Sequence, residues 1–139
     1  MKTIVNTLLN GQITLEQPEK GYRTAIDPIL LAAALHPGAD DHIVDLGCGV
    51  GTIGLCLRHF HPDISITGYE IQDDLAQVAQ KNTHKKNIKI INEGIENIKN
   101  LGADHVLMNP PYYEDGANIP SPMEMRATAH SGQLEMWFA

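Results

Sequence analysis

The sequence predicts an α/β protein built on a mostly parallel sheet. Short apolar runs alternate with amphipathic segments through the middle of the chain, as crossover connections between parallel strands require. A glycine-rich turn joins the first of these runs to the first amphipathic segment. With 42% hydrophobic and 19% charged residues, the chain has the composition of a folded globular protein.

The elements follow in order. "TLLNGQITLEQP" predicts a β-hairpin centred on Asn10-Gly11, because both residues tolerate positive φ. "DPILLAAALHPG" predicts a helix with Asp27 as N-cap and Pro28 in its first turn, closed by Pro37-Gly38. "HIVDLGCGVGTIGLCLRHFHP" reads as strand, glycine turn and helix, and "ISITGYE" as a second strand ending at Glu70. "DDLAQVAQKNTHKKN" is a second helix with Leu75, Val78 and Ala79 on one face. "IKIIN" and "DHVLMN" are the third and fourth strands, with "ENIKNLG" as a short link between them. Beyond Met108 the text is loop-like until "SGQLEMWFA", where another apolar helix begins. The expected division is an N-terminal hairpin and lead-in helix over residues 1–37 and a core over residues 38–139.

A length of 139 residues fits one small domain. A formal net charge of −7 argues against a broad basic nucleic-acid surface and leaves room for a local basic site. Cys48 and Cys56 make no disulfide framework and read as buried free thiols in a reducing compartment. "MKTIVNTLLNGQ" is too short in its apolar part for a signal peptide, and no run approaches the length of a membrane span. The expectation is a cytoplasmic protein.

"DLGCGVG", Asp45 to Gly51, lies between a strand and a helix. Glycines let such a turn bend sharply and approach a ligand, and the helix N-terminus beyond suits a polar or anionic group. The dinucleotide fingerprint Gly-x-Gly-x-x-Gly does not fit, since Thr52 stands where its third glycine belongs. The pattern is Asp-x-Gly-x-Gly-x-Gly, with Asp45, Gly47, Gly49 and Gly51 as candidate cofactor-binding residues. Glu70, at the end of the next strand, can accept hydrogen bonds from both hydroxyls of a ribose, with Ile71 beside it. This constellation resembles motif I and the following acidic residue of class I S-adenosylmethionine (SAM) methyltransferases. The acidic residue that often follows the third strand in that family is replaced here by Ile95 after Gly94, leaving Glu93, Glu96 or a backbone group for the adenine amino group.

"NPPYY" follows the fourth strand. Asn109 precedes a proline and is pushed toward extended backbone, and Pro110 and Pro111 have fixed φ and no N–H. The turn is rigid. The Asn109 side-chain oxygen and the Pro110 carbonyl can together accept both hydrogens of one amino group, and Tyr112 can stack on a flat ring for about 1–3 kcal/mol. An exocyclic amino nitrogen is a poor nucleophile because its lone pair is delocalised. Accepting both N–H bonds pulls it toward tetrahedral geometry and localises the pair. Alignment with an electrophilic methyl can supply roughly 7–11 kcal/mol at best. This chemistry requires no metal. The sequence resembles motif IV of amino-group methyltransferases, which act on adenine N6, guanine N2 or a glutamine amide.

The resemblance extends over nearly the whole chain. "LLNGQITLEQPEKGYRTAIDPILLAAAL", "VDLGCGVGTIGLCL", "YEIQ" and "HVLMNPPYYEDGANIPSPMEMRATAH" are similar to the bacterial tRNA(Val) adenine-N6 methyltransferases with their small methyltransferase domain. It implies a Rossmann-like class I methyltransferase fold, SAM as cofactor and tRNA as substrate. Asn109, Pro110 and Tyr112 are then catalytic, Asn109 also borders the cofactor, and Arg23, Pro111 and Arg126 are candidate substrate contacts. A domain of this class has about seven strands and four can be placed, so the cofactor-binding half alone is expected. Its uncovered fourth strand would leave the chain marginally stable or pair it with a second copy. Two alternatives stand beside the tRNA reading: glutamine methylation of release factors, and a truncated relic that binds SAM without turnover. His59 and His61 read as a helix end rather than a metal pair, "HKKN" at His84–Asn87 as a solvated helix end, and Cys48 as a small buried residue.

Overall fold

The structure, a computed structural model, describes residues 1–21 and 23–110. A hairpin opens it: β1 (Thr3–Leu8) pairs antiparallel with β2 (Ile13–Pro18), from Thr3 opposite Pro18 to Leu8 opposite Ile13. Asn10 and Gly11 both have positive φ in the connecting turn, as their side chains predict, and Leu9 joins them at φ 49°.

Helix α1 (Asp27–Ala34) begins one residue earlier than expected. Ile26 occupies the cap position, Asp27 lies in the first turn, and no side chain caps the helix. Pro28 is tolerated there because a first-turn N–H has no partner inside the helix.

The core is the predicted alternation. Strand β3 (His42–Leu46), helix α2 (Thr52–Phe60), strand β4 (Ser65–Tyr69), helix α3 (Asp73–Thr83) and strand β5 (Ile88–Ile91) follow one another. A single 3-10 turn, Ile95–Asn97, then leads toward β6 (His105–Met108). The four strands lie in the order β5-β4-β3-β6, and every pairing is parallel. Glu70, expected to end its strand, falls one residue beyond β4.

Helix α2 sits directly on β4 and β5. A Cβ on Gly54 would lie 3.5 Å from Ile88 Cγ2 and 3.6 Å from Ile66 Cγ2, so the missing side chain sets how close the helix comes. The core under it joins Ile43, Ile66, Leu55, Leu57, Leu75 and Val78 with Ile13 and Leu15 of the hairpin. The hairpin therefore packs on α2 and α3 and shares their apolar core.

Polar side chains fix the loops at the opposite end of the sheet from the glycine turn. His42 Nδ1 meets the Gly102 carbonyl at 2.9 Å, and its Nε2 meets Thr67 Oγ1 at 2.9 Å. The His42 N–H donates to Asp104 Oδ2 at 2.8 Å, and His105 Nε2 pairs with Asp41 Oδ2 at 3.0 Å. Arg58 donates to the carbonyls of Pro62, Ile64 and Asn87, tying the α2–β4 and α3–β5 loops together. Among the described residues no helix is long and apolar enough to cross a membrane.

Candidate functional site

The glycine turn leaves the carboxyl end of β3. Gly47, Gly49 and Gly51 all have positive φ, at 71°, 56° and 85°, which explains why this turn is spelled with glycine at alternate positions. The Gly51 N–H donates to the Cys48 carbonyl at 2.8 Å, and Gly51 serves as N-cap of α2 without a capping side chain. The first N–H groups of a helix have no intrahelical partner, so an uncapped start is a natural seat for ligand acceptors.

Glu70 fastens this turn to the neighbouring strand. Its Oε2 accepts the Gly49 N–H and its Oε1 accepts the Gln72 N–H, each at 2.9 Å. Each carboxylate oxygen retains a second lone pair for a further donor. Burial raises the Glu70 pKa, and the N–H groups of Gln72 and Gly49 oppose that rise by favouring the charged form. The Cys48 N–H adds a second tie, to the Tyr69 carbonyl at 2.9 Å. Next to Glu70, Ile71 is 59% exposed, an apolar surface at the rim.

Asp45 lies one layer deeper. It is 1% exposed, and among the described residues neither of its carboxylate oxygens has a hydrogen-bond partner. Burial, with the Glu70 charge adding to it, pushes its pKa up to about 7. Two carboxyl groups under one glycine turn concentrate negative potential where a cation or an N–H donor would be welcome. Cys48 is buried in the turn with its thiol pushed well above the usual range, so it stays protonated.

Asn109 and Pro110 follow β6, on the other side of β3 from β4. In the β3–β6 register Leu46 is opposite Met108, so Asn109 and Gly47 are the next residues along adjacent strands. Asn109 and Pro110 are both half-buried there. Pro111, Tyr112 and Arg126 lie outside the described residues. Arg23 is exposed, one residue before Thr24, whose Oγ1 sits 2.7 Å from Thr52 Oγ1 in the first turn of α2. Thus Asp45, Gly47, Gly49, Gly51, Glu70, Ile71, Asn109 and Pro110 share the carboxyl edge of the sheet, with Arg23 on the segment bordering it. Among the described residues no group of three His, Cys, Asp or Glu is placed to hold a metal ion.

Several residues of this edge are missed by sequence reasoning. Asn92 Nδ2 donates to the carbonyls of Glu70 and Ile71, at 2.7 and 3.1 Å, and so fixes the loop that carries the acidic residue. Asn82, Thr24 and Thr52 hold the glycine turn from behind. None has a motif to announce it, because their partners are largely backbone atoms supplied by distant parts of the chain.

A parallel sheet with a glycine turn after β3, a carboxylate after β4 and Asn109-Pro110 after the adjacent β6 defines a Rossmann-like class I methyltransferase fold. The chain belongs to the methyltransferase small domain family, which matches residues 25–132. It is similar to a tRNA1(Val) (adenine(37)-N6)-methyltransferase of Tolumonas auensis, 24% identical over 129 residues that cover 89% of this chain and 54% of that protein. A protein of the same name from Glaesserella parasuis is 31% identical over 93 residues, covering 63% of this chain and 40% of its own. The chain spans about half the length of the curated relatives it matches. Among solved structures, a predicted O-methyltransferase of Agrobacterium tumefaciens shares the fold with a TM-score of 0.53 at 24% identity, over 62% of this chain and 49% of that one.

Proposed function

We propose that this chain supplies the cofactor-binding and amino-group-activating parts of a SAM-dependent N-methyltransferase that acts on adenine N6 in tRNA. The observation that carries this reading is the shared edge: a glycine turn over two buried carboxyl groups, with Asn109-Pro110 level with it on the adjacent strand. The donor set fits the cofactor. Asp45 offers two unpartnered oxygens to a positively charged ligand, Glu70 has lone pairs left for ribose hydroxyls, and exposed Ile71 offers an apolar face to a flat ring. The glycine turn and the uncapped start of α2 let a ligand approach backbone N–H groups closely. When bound, SAM supplies an electrophilic methyl on a sulfonium.

This chain's own residues then orient the acceptor. The Asn109 side-chain oxygen and the Pro110 carbonyl accept the two hydrogens of the amino group, which localises the nitrogen lone pair. Rigid proline geometry holds these acceptors without a conformational cost at the moment of reaction. Tyr112 stacks on the flipped base. Arg23, with Pro111 and Arg126, meets the substrate around it. The names carried by the curated relatives support tRNA over a protein amide as the acceptor.

Calorimetric titration with SAM, followed by a tritiated-SAM assay on tRNA and release factor side by side, tests the reading. Label in tRNA alone is expected. Label in release factor alone would overturn the choice of acceptor, and failure to bind SAM would overturn the reading as a whole.

A further inference from the structure

The glycine turn is held from behind by two polar clamps, and both connect it to the N-terminal hairpin. The first is Asn82 on α3, which is 9% exposed. Its Oδ1 accepts the Glu16 N–H at 2.7 Å, and its Nδ2 donates to the Glu16 carbonyl at 2.8 Å and to the Val50 carbonyl at 2.9 Å. Asn82 thus takes the place of a strand neighbour for Glu16 on β2 and, with the same amide nitrogen, grips the residue before Gly51.

The second clamp grips the residue after it. Thr24 Oγ1 and Thr52 Oγ1 are 2.7 Å apart. The Thr24 N–H donates to Gln17 Oε1 at 2.9 Å, and Gln17 Nε2 donates to Asn6 Oδ1 at 2.8 Å. Gln17 is 4% exposed, so the middle of this chain of bonds is buried, while Asn6 and Thr24 at its ends are half-buried. Between the clamps, Gly51 presses on α3: a Cβ there would lie 3.2 Å from Thr83 Cγ2 and 3.6 Å from Ala79 Cβ.

We propose that Asn82 and Thr24 are positioning residues for the glycine turn, acting together to lock Val50 and Thr52 to the hairpin so that Gly51 is held at its positive φ before any ligand arrives. The proposal rests on the reading of this turn as the SAM seat. The effect of Asn82 and Thr24 is to remove conformational freedom from a turn of glycines, which would otherwise lose it on binding. The coupling is reciprocal by linkage: a ligand that favours the locked turn must also tighten the seating of the hairpin.

Amide hydrogen exchange on the protein without ligand tests the clamp independently of SAM. Thr24→Val keeps the shape of the side chain and deletes the hydroxyl. Asn82→Ala deletes all three bonds. Exchange at Gly49–Thr52 is expected to rise about tenfold in either variant, while amides at Ile43 and Ile66 in the strand centres change less than about twofold. Thr24→Ser should restore the wild-type pattern. In the full protein, affinity for SAM should fall about fivefold to tenfold, while kcat at saturating SAM stays within about twofold. Added SAM should slow exchange of the Glu16 amide in the wild type.

Unchanged exchange in the turn would overturn the proposal, as would a uniform rise across the turn and the strand centres, which marks a purely structural role. If Asn82→Ala does not fold, Thr24→Val and its serine rescue decide alone. A wild type that binds no SAM would sink the functional reading, and the ligand-free exchange pattern would still decide the clamp.

Discussion

Glu70 accepts the backbone N–H of Gly49 at 2.9 Å across the gap between two parallel strands. One carboxylate thereby sets both the position of the glycine turn and the electrostatics beneath it. Replacing it with glutamine puts an NH2 group against one of two N–H donors that now share a carboxylate. Glu70→Gln is expected to cost about 1–3 kcal/mol of stability and to weaken SAM binding at least about tenfold. Urea unfolding and calorimetry check the two parts, and an unaffected affinity would remove Glu70 from the cofactor site.

Asp45 gives the stability a direction with pH. Its carboxyl shifts from 3.8 to about 7 in the folded protein. Between those values the folded state keeps a proton that the unfolded chain has lost, so stability falls as pH rises, by at most about 1.4 kcal/mol per pH unit. Above about 7 both states are ionised and this contribution levels off. Glu70 is displaced in the same direction and contributes to the slope with the same sign. Unfolding midpoints of the ligand-free protein should drop from pH 5 to pH 7.5, and Asp45→Asn should remove most of that drop. An equal drop in both proteins would contradict the assignment.

Asn109→Ala separates chemistry from binding. Loss of a hydrogen-bond acceptor aimed at the reacting amino group should slow methyl transfer by about 10²–10³. Affinity for SAM should change less than about threefold, well under the loss expected at Glu70. A variant that loses both together would place Asn109 in the cofactor seat instead.

Gly68→Ala probes how the turn rests on β4. A Cβ at this position would lie 2.8 Å from Cys48 Sγ and 3.0 Å from both Cys48 Cβ and Ile90 Cδ1. Cys48 is buried in the turn and cannot simply swing away, while Ile90 is half-buried and meets the added methyl with the tip of its side chain. A loss of about 1–3 kcal/mol is expected, and Cys48→Ala in the same chain should recover part of it. Additive losses in the double variant would show that the two residues do not compete for space.

Arg58 should matter to stability alone. It bonds three carbonyls on two loops at the end of the sheet away from the glycine turn. Lysine cannot reproduce that planar fork, so Arg58→Lys is expected to cost about 1–2 kcal/mol with SAM affinity unchanged. A matching loss of affinity would point to communication between the two ends of the sheet.

What the sequence made legible was local. The hairpin around Asn10-Gly11 and the strand-helix alternation from His42 to Met108 follow from periodicity and turn chemistry within a few residues. Asp45, Gly47, Gly49, Gly51, Glu70 and Asn109 could be singled out because a strand end and a glycine turn leave a readable spacing. Asn82 could not. It closes "VAQKN" just before a stretch that reads as a solvated helix end, and its partners are a backbone 66 residues away and a turn 32 residues away. Thr24 and Gln17 were hidden for the same reason: a hydroxyl or an amide acquires a role only when folding brings its partner. The cap of α1 shifted from Asp27 to Ile26 because Pro28 is as comfortable in the second helical position as in the first.

The span between Glu16 and Asn82 also has a meaning in time. A ribosome adds about 5–20 residues per second, so roughly 3–13 s separate the synthesis of Glu16 from that of the side chain that grips it. The hairpin is made first and can be seated only once α3 has followed it. During that interval Ile13 and Leu15 are without the core that will bury them, which makes the opening strands the part of a nascent chain most in need of shelter from other hydrophobic surfaces.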